Sequence, residues 1–257
     1  MNAMQTLVAL WTLVLKEIKR FTRIWPQTLL PPSITMAMYF IIFGNLIGSR
    51  IGDMDGFSYM DFIVPGLIMM SVITNSYSNV ASSFFSNKFQ RSIEEMMVSP
   101  MPNGVILSGF ILGGMARGLG VGLIVTLVSL FFTRLTVEHP LLTVLVVVLT
   151  SALFSIGGFI NALLANKFDD ISIVPTFILT PLTYLGGVFY SISMLPDFWQ
   201  GVSMLNPILY MVNVFRYGFL GVSDIPVGWA LAAIFAFIVV LFMVALTMLE
   251  RGKGIRS

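Results

Sequence analysis

The most constraining feature of this chain is the length of its charge-free runs. No Asp, Glu, Lys or Arg occurs over residues 24–49, 62–87, 140–166, 171–196 or 225–249. Each run exceeds the roughly 20 residues a helix needs to cross a bilayer core of about 30 Å. A further run, 96–133, is broken only by Arg117, and 198–215 is apolar but carries Asn206-Pro207. The runs are continuous rather than alternating, which excludes membrane barrel strands. Charged residues make up 10% of the chain and hydrophobic ones 57%. A soluble domain carries about 25% charged residues, so a water-facing surface cannot be assembled here. The apolar excess equally excludes disorder. The expected fold class is an all-α integral membrane protein, one transmembrane domain over 1–257.

Six spans are expected, near 31–48, 59–85, 105–132, 141–164, 171–189 and 227–249. Orientation follows from Lys and Arg in the short flanks. With six spans, one side carries Lys16, Lys19, Arg20, Arg23, Lys88, Arg91, Lys167, Arg251, Lys253 and Arg256, and the other only Arg50, Arg134 and Arg216. The first side is therefore expected to be cytoplasmic, with both termini inside. The segment 198–215 does not fit as a full crossing. It would send the basic tail outside and place a helix-breaking Asn206-Pro207 at mid-membrane. Short re-entrant or interfacial helices over 190–224 satisfy both objections, provided their backbone is buried in protein or lines a wet cavity.

Residues 1–25 differ in kind. Leu7, Leu10, Trp11, Val14, Ile18 and Phe21 recur at helical spacing, with Lys16, Lys19, Arg20 and Arg23 mostly opposite. This predicts an amphipathic helix flat on the cytoplasmic leaflet, ended by Trp25-Pro26, serving as anchor alone or as anchor and partner contact. No cleaved leader is expected, because the apolar stretch precedes the basic residues.

Polar residues within spans are expensive. Arg117 lies about 18 Å from the start of its span at 1.5 Å per residue, near the midplane. It reads either as a hydrogen-bonding hub between spans or as a contact for an anionic substrate group. Ser71, Asn75, Asn79 and Ser83 form a stripe on the second span. Thr176, Thr180 and Thr183 form one on the fifth, bent by Pro175 and Pro181. Such stripes are interhelical glue or the lining of a pathway, and both readings stay open. Gly44/Gly48/Gly52 and Gly114/Gly118/Gly122 allow close helix approach, within one subunit by default and across a dimer as the sharper alternative.

Catalytic motifs are scarce. The chain has no cysteine and no GxxxxGK[ST] phosphate loop. Its one histidine, His139, is placed in a loop. No metal site is expected. Asp169-Asp170 reads as a helix N-cap rather than a metal or pyrophosphate site. The net charge of +2 gives no sign of nucleic-acid binding. The loop 86–103 contains Lys88, Arg91, Ser92, Glu94, Glu95, Met96, Met97, Val98, Pro100 and Pro102. Ser92 and Glu95 fit a capping box, predicting a short helix whose Met96, Met97 and Val98 suit a groove on another protein.

That loop, together with Leu185-Gly186-Gly187-Val188-Phe189-Tyr190, Leu195-Pro196, Asn206-Pro207, Tyr210, Arg216 and Gly218, resembles the permease subunit of type-2 ATP-binding-cassette exporters of the bacterial inner membrane. The resemblance covers nearly the whole chain. It implies a homodimeric twelve-span transport domain with a separate cytoplasmic ATPase, which binds ATP and magnesium while this chain binds no cofactor. It assigns coupling to Lys88, Arg91, Glu94, Glu95, Met96 and Pro100. It also assigns an outer gate of Gly186, Gly187, Phe189, Pro196, Asn206, Pro207 and Arg216. Spans one, two and five would border the pathway, for cargo of amphiphilic character such as a lipid, lipid-linked glycan or drug-like molecule. The competing classes are an ion-coupled or passive transporter and an intramembrane lipid-modifying enzyme using Asp169-Asp170.

Overall fold

The computed structural model describes residues 2–254, so Arg256 of the basic tail lies outside the described residues. The chain is almost entirely helical. Helix α1 (Ala3–Arg23) opens with a reciprocal capping box between Asn2 and Gln5. The next helical stretch, Trp25–Ile51, is built from α2 (Trp25–Thr28), α3 (Leu30–Tyr39), a π-helical turn Phe40–Ile47 and α4 (Gly48–Ile51). A two-stranded hairpin follows, β1 (Asp53–Met54) and β2 (Phe57–Ser58), and then α5 (Tyr59–Phe89), α6 (Ser92–Val98), α7 (Asn103–Ser129) and α8 (Pro140–Leu164). Next come α9 (Asp170–Val174), a π-helical turn Pro175–Leu179 and α10 (Thr180–Tyr184). The chain closes with α11 (Asp197–Met204), α12 (Pro207–Leu220) and α13 (Val227–Glu250).

Among the described residues, five helices are long and apolar enough to cross a membrane: Trp25–Ile51, Tyr59–Phe89, Asn103–Ser129, Pro140–Leu164 and Val227–Glu250. The expected fifth span at 171–189 differs. Three five-residue pieces over 170–184 extend about 22 Å at 1.5 Å per residue, short of a 30 Å core. Pro175 and Pro181 explain the break. Each lacks an N–H and crowds the preceding turn, and the ladder widens to a π-turn. Short helices α11 and α12 occupy the stretch expected to be re-entrant, and they break at Asn206-Pro207, where Asn206 caps Ile208 N–H at 3.0 Å and Pro207 sits at the first helical position.

Helix α5 is the axis of the bundle. It is packed by α7, α8, α12 and the first helical stretch, and most of it is buried. Glycine makes this possible. A Cβ on Gly118 would overlap Ser76, one on Gly114 would overlap Val80, and one on Gly122 would meet Val72 at 2.6 Å. On α8, Gly158 lies against the backbone of Tyr77. The Gly114/Gly118/Gly122 stripe thus packs inside one subunit. Gly44 and Gly48 pack on Met60 and Tyr59, whereas Gly52 takes a left-handed φ of 81° at the hairpin entry.

Helix α1 forms where expected, but protein claims part of its surface. Leu13 sits over Gly109 and Glu17 over Gly113, so α1 runs beside α7 in the same direction. Its buried residues are Leu13, Val14, Glu17 and Phe21, while Leu7 and Trp11 of the predicted apolar stripe stay exposed. Gly118→Val is expected to cost about 1–3 kcal/mol by overpacking the α5–α7 contact, read as a lowered thermal midpoint in detergent. Gly120→Ala, which meets open space, is the control that leaves the midpoint in place.

Candidate functional site

At one end of the bundle, α6 projects between α5 and α7. Arg91 enters it in a left-handed conformation, φ 60°. The capping box with Glu95 does not form: Ser92 Oγ instead donates to Asn87 O at 3.2 Å and Asn87 Oδ1 at 3.1 Å. Ile93 is fully buried and Met96 and Met97 pack partly on the core, which pins one face of the helix. Arg91, Glu94, Glu95, Val98 and Pro100 face outward. Lys16 Nζ donates to Asn87 Oδ1 at 2.9 Å. Lys88 Nζ donates to the carbonyls of Leu163 (2.8 Å) and Ala165 (2.5 Å), capping the last turn of α8. These contacts bring α1, α6 and the 165–169 turn together at one end, and the contact of Gly254 with Leu163 adds the end of α13.

Asp170 locks the 165–169 turn. Its Oδ2 accepts from the backbone N–H of Asn166 (2.8 Å) and Lys167 (3.0 Å), which holds its carboxyl below the usual carboxylate range. Asp169 is exposed beside it, and the described residues contain no cluster fit for a metal ion. His139 precedes α8 and stacks on Tyr217 at 4.9 Å.

Deeper in the bundle, the stripe Ser71, Asn75, Asn79 and Ser83 turns inward, and all four residues are buried. Arg117 donates to Asn75 Oδ1 at 3.2 Å, and Arg20 Nη2 donates to Asn79 Oδ1 at 2.7 Å. Arg20 also pairs with the fully buried Glu17 at 3.3 Å. Asn75 thus ties α5 to α7 through Arg117 and Asn79 ties it to α1 through Arg20, while Ser71 Oγ donates to Ile68 O of its own helix and Ser83 Oγ is buried without a partner among the described residues. The ion pair Glu17–Arg20 was not foreseen from sequence. Its signal was an acid and a base three apart on an amphipathic helix.

A neighbouring face of α5 borders a groove. Met70, Thr74, Ser78 and Ser82 face Pro175, Thr176, Leu179, Thr180 and Thr183 across two adjoining pockets of 190 and 260 Å³. Thr180 and Thr183 return their own hydroxyl protons to Pro175 O (2.9 Å) and Leu179 O (2.7 Å), leaving oxygen lone pairs toward the groove. The groove thus joins the predicted threonine stripe to Thr74, Ser78 and Ser82, a set with the same four-residue spacing as the serine–asparagine stripe one position away, which sequence reasoning passed over.

At the other end, Arg216 is 1% exposed. Nε donates to Phe62 O at 3.3 Å, Nη2 donates to Gly187 O at 2.5 Å, and the guanidinium lies 3.8 Å from the Phe62 ring centroid. Gly187 has φ 71° and Gly186 packs on Ile208. Asn206 Nδ2 donates to Leu182 O at 2.6 Å, tying α12 to α10. Phe189 joins Tyr39, Phe43 and Tyr184 in an aromatic cluster. Pro196 opens α11 at an exposed position, apart from this cluster.

A helical bundle built around one buried axial helix, with a short amphiphilic helix at one end and broken helices at the other, is a transporter-like arrangement. The chain belongs to the ABC-2 type transporter family, whose model matches residues 8–220. It is 61% identical over 250 residues to the inner membrane transport permease YadH of Escherichia coli K12, covering 97% of this chain and 98% of that protein. It is 25% identical over 217 residues to nodulation protein J of Rhizobium meliloti, covering 83% and 82%.

The Asp170 lock has a worked sign. A depressed carboxyl pKa stabilises the turn above the unfolded pKa, and that contribution is lost as pH falls through the folded one. Amide exchange at Asn166 and Lys167 is therefore expected to be slower than in Asp170→Asn at pH 7. The difference should close on acidification, and equal rates at neutral pH would overturn the lock.

Proposed function

We propose that this chain is the membrane-spanning subunit of an ATP-driven exporter of the bacterial inner membrane. Two copies pair, and each crosses the bilayer six times with both termini in the cytoplasm. A separate cassette ATPase binds ATP and magnesium below them, and this chain itself does no catalysis. Two broken elements complete this design. The piece over 170–184 is completed as a span by the neighbouring copy and the lipid, and α11 and α12 form the re-entrant gate. That placement buries the non-helical backbone at the break in protein, as membrane depth requires.

The observation that carries this reading is α6. It is anchored by Ile93 while Glu94, Glu95 and Val98 project from the end of the bundle where Lys16, Lys88 and Lys167 gather. An exposed acidic and apolar helix, rigidly joined to the axial helix α5, has the form of a docking lever. ATP-driven closure of the partner pushes on it, and α5 carries the displacement to the groove with Thr176, Thr180 and Thr183. Hydroxyls beside Met70 and Leu179 suit cargo with a polar head and an apolar body. Within the inward stripe, Asn75 and Asn79 tie α5 to α7 and α1 through Arg117 and Arg20 rather than lining the path.

Purification in mild detergent is expected to bring a cassette ATPase with the chain in a one-to-one ratio. Isolation of a fully active chain alone would favour a passive or ion-coupled carrier instead. Replacing Glu94 and Glu95 together by Ala is expected to lower transport-stimulated ATPase turnover about tenfold while the complex stays assembled, since two charge-assisted contacts are lost. An unchanged ratio of transport to hydrolysis would remove α6 from the coupling path.

A further inference from the structure

The groove beside α5 has a property that its use as a path does not require: it is lined by hydroxyls and apolar groups without a formal charge. Its 260 Å³ pocket sets Ser78 and Ser82 against Ser172 and Thr176, and its 190 Å³ pocket sets Thr74 and Ser78 against Thr176 and Thr180. Both walls therefore carry hydroxyls four residues apart, at 74, 78 and 82 on α5 and at 172, 176 and 180 opposite. Each step of four rises about 6 Å along α5.

Most of this hydrogen-bonding capacity is unspent. Ser82 Oγ donates to Asn79 O at 3.2 Å and Thr180 Oγ1 to Pro175 O at 2.9 Å, so both oxygens keep their lone pairs. Thr74, Ser78, Ser172 and Thr176 make no side-chain hydrogen bond among the described residues. Thr74, Ser172 and Thr176 are exposed and Ser78 is half-buried, so a molecule in the groove reaches them. Ser82 lies seven residues and Thr74 fifteen before the end of α5 at Phe89. The hydroxyls on this wall therefore sit about 10–23 Å along the span at 1.5 Å per residue.

A charged cargo finds no counter-ion here. Residues 62–87 and 171–196 carry no charge, and Arg117 of α7 is engaged with Asn75 on the inward face of α5. The runs 24–49, 140–166 and 225–249 are charge-free as well, so a second copy laid over the groove through those elements brings none. A charge at membrane depth without a partner is expensive. An uncharged hydroxyl or amide instead exchanges its hydrogen bonds with water for bonds with the walls. We propose that the groove selects its cargo by charge. It accepts an uncharged head group that carries several hydroxyl or amide groups in a row, seats the apolar body against Met70, Pro175 and Leu179, and rejects cationic and anionic heads. This selection rests on the reading of the groove as the transport path.

The chain has no cysteine, so Ser78→Cys, at a position bordering both pockets, places one reporter thiol in the full chain in phosphatidylcholine nanodiscs. Its alkylation by N-ethylmaleimide is timed with n-octyl glucoside, n-octyl sulfate or n-octyltrimethylammonium added, three probes that share one tail. Leu123→Cys, on an exposed part of α7, reports partition into the lipid alone. Saturable protection of Ser78→Cys by the glucoside is expected at a concentration about tenfold below that of either charged probe, with Leu123→Cys indifferent to the head group. Adding Thr74→Val and Thr176→Val, which keep the side-chain shape at exposed positions, is expected to raise the glucoside concentration about tenfold and to leave the thermal midpoint in place. Absent protection, equal protection by the three probes, stronger protection by a charged one, or an unchanged response in the valine variant would each overturn the selection. The readout needs no ATPase. A glucoside preference in a chain that purifies without one upholds the groove and removes the exporter reading, whereas a bound ATPase with no head-group preference removes the selection alone.

Discussion

The close seating of α5 against its neighbours is the constraint on which the rest of the structure depends. Lipid tails are as apolar as leucine, so helices in a bilayer gain little from hiding apolar side chains from one another. They associate through dispersion contacts and hydrogen bonds, both of which demand short distances. Gly114, Gly118 and Gly122 on α7 and Gly158 on α8 remove the side chains that would hold α5 away. With α5 at that distance, Asn75 meets Arg117 and Asn79 meets Arg20. Moved outward by one methyl group's width, these pairs would part and leave charge in a medium that cannot solvate it.

The same geometry sorts the polar residues of α5 into two faces. One, at 71, 75, 79 and 83, is buried in the bundle, and its Asn75 and Asn79 bond neighbouring helices. The other, at 74, 78 and 82, is left over and turns toward the bent piece at 170–184. That piece is bent because Pro175 and Pro181 deprive its ladder of donors. A helix that cannot pack straight leaves space beside it, so the groove is the by-product of two prolines facing a straight neighbour.

Mechanical continuity runs along the other axis. Lys88, at the last turn of α5, caps the end of α8 through Leu163 and Ala165, and Asp170 closes the turn that leads into the bent piece. Asn161 of α8 adds a bond to Ile171 O at 3.1 Å. These contacts join the end of α5, the end of α8 and the element across the groove into one connected end of the bundle.

Much of this was legible in the sequence. Charge-free runs longer than a bilayer core leave helices as the only backbone that satisfies itself in lipid, so the membrane class, five of the six expected spans and the helix break at Asn206-Pro207 follow from composition and order alone, whereas the run at 171–189 is broken into short pieces by its prolines. The short helix after Lys88 was legible as well, although the Ser92–Glu95 capping box that predicted it does not form. What the sequence left open is which way each face points. A stripe at every fourth residue has the same spacing whether it binds a neighbouring helix or borders a groove, and only the azimuth of α5, fixed by the glycines it packs on, separated the serine–asparagine stripe from Thr74, Ser78 and Ser82. Periodicity is a property of one helix, whereas the partner of Arg216 or of Glu17 is a property of how distant segments meet, and that is decided in three dimensions.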